Sequence, residues 1–122
     1  MIKLARMNAV NLKVRDLQQS LAWYHEHFGF ELQYEVEGGF VVAVNDIELV
    51  LSPHDDPDAP LADPREVRCI HTLAFEIPES EFPKLKSEFA SDLGLVEFDH
   101  PHFASIITQD PDGYCVELFY NK

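Results

Sequence analysis

Cysteine is scarce. Cys69 and Cys115 are the only two in 122 residues. Two thiols at that separation make neither a disulfide framework nor a metal-spacing motif, and each reads as a small strand hydrophobe. Basic side chains are few as well, 9 against 22 acidic ones, which leaves a formal net charge of −13. A phosphate backbone is repelled by that balance, so no nucleic-acid partner is expected. An anionic membrane surface is disfavoured for the same reason. Long apolar runs are missing: the longest, Phe40 to Val44, is far short of the roughly 20 residues of a membrane-spanning helix. Met1-Ile2-Lys3-Leu4-Ala5-Arg6 is not followed by the apolar core of a secretory signal, and a cytoplasmic location is expected. No Ser-His-Asp set, phosphate-cradling glycine loop or nucleophile elbow is visible. The single tryptophan, Trp23, sits beside Tyr24 in a helical pattern and reads as core.

What is present points to one compact domain. Hydrophobic content is 46%, enough to argue against disorder. Asn8 to Val14 alternates, with Val10, Leu12 and Val14 on one face and Ala9, Asn11 and Lys13 on the other, the pattern of a half-buried strand. Asp16 then caps a helix, with Gln19 three residues on. Leu17, Leu21, Tyr24 and Phe28 keep helical spacing, and Gly29 ends the helix. Strands follow at Phe30 to Val36, Phe40 to Val44 and Ile47 to Leu51, separated by turns at Glu37-Gly38-Gly39 and Asn45-Asp46. A stretch with four prolines and several aspartates comes next and reads as a linker. The order then repeats. Ile70 to Ile77 is a strand, and Ser80 is placed to cap a helix carrying Phe82, Leu85, Phe89 and Leu93. Leu95 to Phe98, Phe103 to Thr108 and Tyr114 to Tyr120 are strands.

The expected fold class is α+β. Two βαβββ modules, about residues 8–52 and 69–120, form one domain over 1–122 and are joined by the acidic, proline-rich linker 53–67. Each module makes a curved mixed sheet with a helix on one face, and the two sheets surround a cleft. A homodimer is expected to cover remaining sheet surface. Alternation sends Asn11, Lys13 and Glu48 from the first module, and Thr72 and Glu117 from the second, toward that cleft. A carboxylate in an apolar strand needs a partner, because an unpaired buried charge is costly. Glu48 in Ile47-Glu48-Leu49-Val50-Leu51 and Glu117 in Val116-Glu117-Leu118 pose the same question twice.

Val10-Asn11-Leu12-Lys13-Val14-Arg15-Asp16-Leu17, Trp23-Tyr24 and Phe28-Gly29-Phe30 resemble the opening of a vicinal oxygen chelate superfamily protein. Thr72-Leu73-Ala74-Phe75-Glu76-Ile77, Asp110-Pro111-Asp112-Gly113 and Val116-Glu117-Leu118 resemble its second half. That superfamily includes glyoxalase I, extradiol dioxygenases, thiol transferases that inactivate fosfomycin, and bleomycin-resistance proteins. The resemblance implies paired βαβββ modules, usually dimeric, with a cleft for a small molecule. It also implies a divalent metal held by one residue on the first strand and one on the fourth strand of each module. The fourth-strand positions fall on Glu48 and Glu117, but the first-strand positions fall on Ala9 and Thr72, where the enzymes carry His or another strong ligand.

Two function classes follow. One is a protein of the bleomycin-resistance type that sequesters a small molecule in an acidic cleft with no cofactor. Asn11, Lys13, Glu48, Thr72, His102 and Glu117 are its candidate contacts, and no residue is assigned a metal. The alternative is a divalent-metal-dependent lyase, isomerase or dioxygenase with a displaced site, using Glu48, Glu117 and His71 or His102. His71 enters the cleft only if a β-bulge over Cys69 to Thr72 turns it inward. His25 and His27 lie two apart on one helix, on different faces, and read as surface. His54 belongs to the solvated linker.

Overall fold

The computed structural model describes residues 1–61, 72–92 and 94–122. They fall into two compact units, Met1–Pro60 and Leu61–Lys122. The expected strand at Ile70, the bulge over Cys69 to Thr72, and the positions of His71 and Leu93 lie wholly or partly outside the described residues.

The first unit starts with β1 (Ala9–Val14), whose alternation leaves Leu12 and Val14 buried and Asn11 and Lys13 exposed. Helix α1 (Leu17–Phe28) begins where the Asp16 carboxylate accepts a hydrogen bond from the Gln19 backbone N–H at 3.0 Å. That bond satisfies one of the orphan donors of the first turn. The helix ends at Gly29, whose φ of 77° is the left-handed cap that a side chain would resist. Three antiparallel strands follow, β2 (Glu31–Val36), β3 (Gly39–Val44) and β4 (Ile47–Pro53). Glu37 and Gly38 both take positive φ, as a two-residue hairpin turn of the type matched to strand twist requires. β4 returns beside β1 in parallel, so the sheet order is β1-β4-β3-β2. Tyr24, Phe30, Val42, Leu49 and Leu51 form the buried centre, with Tyr24 edge-on to Phe30 at 5.7 Å.

The second unit repeats the order with β5 (Thr72–Glu76), β6 (Val96–His100), β7 (Phe103–Gln109) and β8 (Cys115–Asn121), arranged β5-β8-β7-β6. Its helical segment differs from the expected one. Glu79–Lys84 is a 3-10 helix, and α2 is only the single turn Leu85–Glu88. Pro78, not Ser80, precedes the first turn, and no side chain caps it. Pro83 has no N–H to give an α-helical ladder, and the tighter geometry keeps Phe82 edge-on to Tyr120 at 5.0 Å. Asp92 replaces a longer helix with side-chain bonds, accepting from the Gly94 N–H at 2.8 Å and the Thr108 hydroxyl at 2.5 Å. The βαβββ module thus occurs twice. Among the described residues no helix is long and apolar enough to cross a membrane.

Candidate functional site

In each unit the helical segment marks one face of the sheet. α1 lines a groove with Leu32, whose ladder partner is Val42, followed across the sheet by Leu49 and Val10. The opposite, helix-free face therefore carries Ala9, Asn11 and Lys13 from β1 and Glu48, Val50 and Ser52 from β4. In the second unit the Phe82–Tyr120 contact identifies the helical side. Its helix-free face carries Thr72, Ala74 and Glu76 from β5 and Cys115, Glu117 and Phe119 from β8. Within the first unit, Asn11, Lys13 and Glu48 share a face, and within the second, Thr72 and Glu117 do. His102 is not part of that group. It is exposed in the β6–β7 turn, its backbone N–H donating to His100 Nδ1 at 3.2 Å, and the ladder places Phe103 four residues from Ile107, the partner of Glu117.

The strand ladders correct one detail of the internal repeat. The sequence register sets Ala9 against Thr72 and Glu48 against Glu117. In the first unit Ala9 does lie opposite Glu48. In the second, Thr72 lies opposite Cys115, and Ala74 lies opposite Glu117. The two-residue offset keeps Thr72 on the same face, because the side-chain period is two. Both glutamates consequently have an alanine beside them on the neighbouring parallel strand. A methyl group neither competes for the carboxylate nor covers it.

Local bonds already engage part of this surface. Glu48 Oε1 accepts from Asn8 Nδ2 at 3.1 Å, and Asn8 Oδ1 in turn accepts from Arg6 at 3.3 Å. Asn11 Oδ1 accepts from the Ser52 hydroxyl at 2.7 Å. The sequence pattern places Asn8 only as the first residue of the strand; it precedes β1, and its contact with Glu48 has no signal in the alternation. Sequence reasoning missed Ser105, fully buried on the helix-free face of β7 beside Phe119, with no partner for its hydroxyl among the described residues. A lone hydroxyl inside Phe103-Ala104-Ser105-Ile106-Ile107 was the signal, of the same kind as Glu117. Burial pushes the Cys115 thiol above the ordinary cysteine range. The Asp110 charge adds to this, and a hydrogen bond with Gln109 opposes it.

The turn before β8 holds Glu117 in place. Asp110 Oδ1 accepts from the backbone N–H groups of Asp112 and Tyr114, both at 2.9 Å, while Gly113, at φ 87°, donates to the Asp110 carbonyl at 3.0 Å. Two concavities lie on the helical sides. One of about 280 Å³ lies between α1 and β2, and one of about 440 Å³ is lined by Phe82, Glu97, Asp99 and Tyr120. Neither includes Glu48 or Glu117. Among the described residues no three His, Cys, Asp or Glu side chains gather into a metal-binding group.

The profile of the Glyoxalase/Bleomycin resistance protein/Dioxygenase superfamily matches residues 6–118. A search of curated protein sequences finds no match. Among solved structures, the chain is similar to a glyoxylase/bleomycin resistance protein/dioxygenase domain from Frankia sp. EAN1pec, with 19% identity and a TM-score of 0.82, covering 98% of this chain and 94% of that one. It is similar to the fosfomycin resistance protein FosX from Mesorhizobium loti, with 18% identity, a TM-score of 0.70, and coverage of 98% and 95%. It is also similar to a virulence protein from Salmonella typhimurium, with 21% identity, a TM-score of 0.69, and coverage of 98% of both chains. At those identities the structures speak for the fold, and the profile speaks for the lineage: the chain belongs to the Glyoxalase/Bleomycin resistance protein/Dioxygenase superfamily.

Proposed function

We propose that the chain binds a small organic molecule on the helix-free sheet faces that carry Glu48 and Glu117, and that it sequesters this molecule without turning it over. The carrying observation is the ladder itself: in each unit a half-buried glutamate stands beside an alanine. A carboxylate so placed is an acceptor for a cationic or hydrogen-bond-donating ligand. Lys13 and Asn11 on one unit, and Thr72 on the other, add polar contacts. The net charge of −13 favours a cation over an anion. A homodimer in the cytoplasm completes the reading.

The divalent metal typical of the superfamily's enzymes fits these residues poorly. Ala9 offers no donor atom, and the one carboxylate beside it is held by Asn8. A catalytic zinc needs about three protein ligands. Metal content of the purified chain decides between the two readings. Substoichiometric metal is expected, together with thermal stabilisation by cationic aromatic compounds that weakens in Glu48→Gln and Glu117→Gln. A ligand present at about 100 times its Kd adds roughly 2.7 kcal/mol. Stoichiometric metal that is lost in Glu48→Gln refutes the binding reading and moves the protein to the metal-dependent lyases, isomerases or dioxygenases.

A further inference from the structure

The two units fill one place in their sheets differently. With Glu48 set against Glu117, the row Glu35–Phe40–Leu51 of the first unit corresponds to the row Asp99–Ala104–Tyr120 of the second. Both rows lie on the helical face. In the first unit the middle strand contributes the ring of Phe40, which is buried. In the second it contributes only the methyl group of Ala104, also buried. The space that a ring fills in one unit is left open in the other. It is the concavity of about 440 Å³, with Ala104 as its floor. The shortened helical segment does not close it, because that segment rests on β8 through the Phe82–Tyr120 contact.

Two kinds of wall face each other across this floor. On the β8 side stand Tyr120 and Phe82, edge-on at 5.0 Å. On the β6 side stand Asp99 and, two residues away on the same face, Glu97. Asp99 and Tyr120 are two strands apart, roughly 10 Å at about 4.8 Å per strand. Both carboxylates already hold an ammonium group of this chain. Lys86 Nζ lies 3.1 Å from Glu97 Oε1, and Lys122 Nζ bonds Asp99 Oδ1. Each contact uses one oxygen, and a carboxylate accepts at both. The Asp99 side chain is 84% exposed and that of Glu97 49%. Ion pairs so exposed contribute little, and a second cation can share or displace them.

We infer that this hollow binds a methylated ammonium ion, with the onium head over Ala104, between Asp99 and the rings of Phe82 and Tyr120. Aromatic rings attract a cation through their quadrupole, and quaternary ammonium ions are recognised in this way. A primary ammonium is compact and strongly hydrated, and it meets carboxylates whose hydrogen bonds two lysines already take. A methylated head has no N–H groups to satisfy. It gains instead from the rings and from the charge of Asp99 and Glu97. The net charge of −13 raises the local concentration of cations of either kind. The hollow lies on the helical face and includes neither Glu48 nor Glu117. The inference therefore stands apart from the ligand-binding reading.

The test is an NMR chemical-shift titration of the full chain with choline, run on the wild type and on Glu48→Gln/Glu117→Gln. Both are expected to bind with the same Kd, in about the millimolar range. The neutral isostere of choline, with a tert-butyl group in place of the trimethylammonium, is expected to bind at least about tenfold more weakly. Asp99→Asn removes the charge and Ala104→Leu fills the hollow. Each is expected to weaken choline about tenfold, with circular dichroism confirming the fold, and Tyr120→Leu stands in if Ala104→Leu disturbs it. No saturable shift, an isostere that binds as well as choline, or folded variants that bind like the wild type overturn the proposal. Loss of binding in Glu48→Gln/Glu117→Gln also overturns it, by assigning choline to the helix-free faces. Phosphatidylcholine vesicles present the same head on a lipid. The chain is expected to stay in solution when they are sedimented; a chain that pellets with them and is released by choline overturns the reading as a free ion.

Discussion

Gly39 opens β3, and a side chain there has nowhere to go. A Cβ added at Gly39 would lie 2.4 Å from the Leu51 carbonyl oxygen and 3.3 Å from the Ser52 Cα. Relief needs at least about 0.6 Å of movement to reach even the 3.0 Å that real Cβ atoms respect. The obstacle is backbone of β4, paired on one side to β3 and on the other to β1. It cannot rotate away as a side chain would. Overpacking typically costs about 1–3 kcal/mol, and a rigid obstacle places Gly39→Ala near the top, at roughly 2–3 kcal/mol. For a chain of this size each kcal/mol lowers Tm by about 3–5 °C, so a fall near 10 °C is expected in calorimetry, with a matching drop in the urea midpoint. Gly38→Ala is the internal comparison. Nothing lies within 4 Å of its Cβ, but its φ is 78°, and the left-handed region alone costs about 1 kcal/mol. If Gly39→Ala melts within a degree or two of wild type, or loses less than Gly38→Ala, the close approach of β3 to the Leu51 carbonyl is wrong.

Three more expectations use the same unfolding assays or simple labelling. Tyr24→Ala empties a fully buried aromatic site against Phe30 and Trp23; a loss of roughly 3–5 kcal/mol is expected, and a loss below about 1 kcal/mol would show that Tyr24 is not core. Ser105→Ala removes a buried hydroxyl without a described partner. Stability should hold or rise, since an unsatisfied buried group costs about 1–3 kcal/mol; a clear fall would reveal a partner. Cys115 is raised by burial, so its thiol stays protonated at pH values where a free cysteine already ionises. Alkylation of the native chain by iodoacetamide should therefore reach its half-maximal rate at higher pH than in the denatured chain. The linked stability is present below the unfolded-state pKa and is lost as pH rises through the folded-state one. Equal pH profiles in the two states would remove the burial argument.

Much of the architecture was legible because it rests on local rules. Strand alternation, the Asp16 cap, the Gly29 terminator and the Asp110–Gly113 turn each depend on a few adjacent residues, and each reads directly from the chain. The repetition of β-α-β-β-β followed from their order. The helix of the second unit misled that reading because Phe82, Leu85 and Phe89 keep helical spacing, while Pro83 withholds the N–H that an α-helix uses. Spacing reports which side chains face inward. It does not report which hydrogen-bond ladder holds them.

The candidate site divides along the same line. Alternation and element order were enough to put Glu48 and Glu117 on fourth strands and Ala9, rather than a ligand side chain, at the start of the first. Only the packed strands set Ala74 and not Thr72 beside Glu117, bring Asn8 onto Glu48, and leave His102 exposed in the β6–β7 turn. The two kinds of interaction differ in range. Alternation fixes a side chain's face within its own strand, whereas the register between strands about 40 residues apart is set by how whole strands pack, and no short window of sequence contains it.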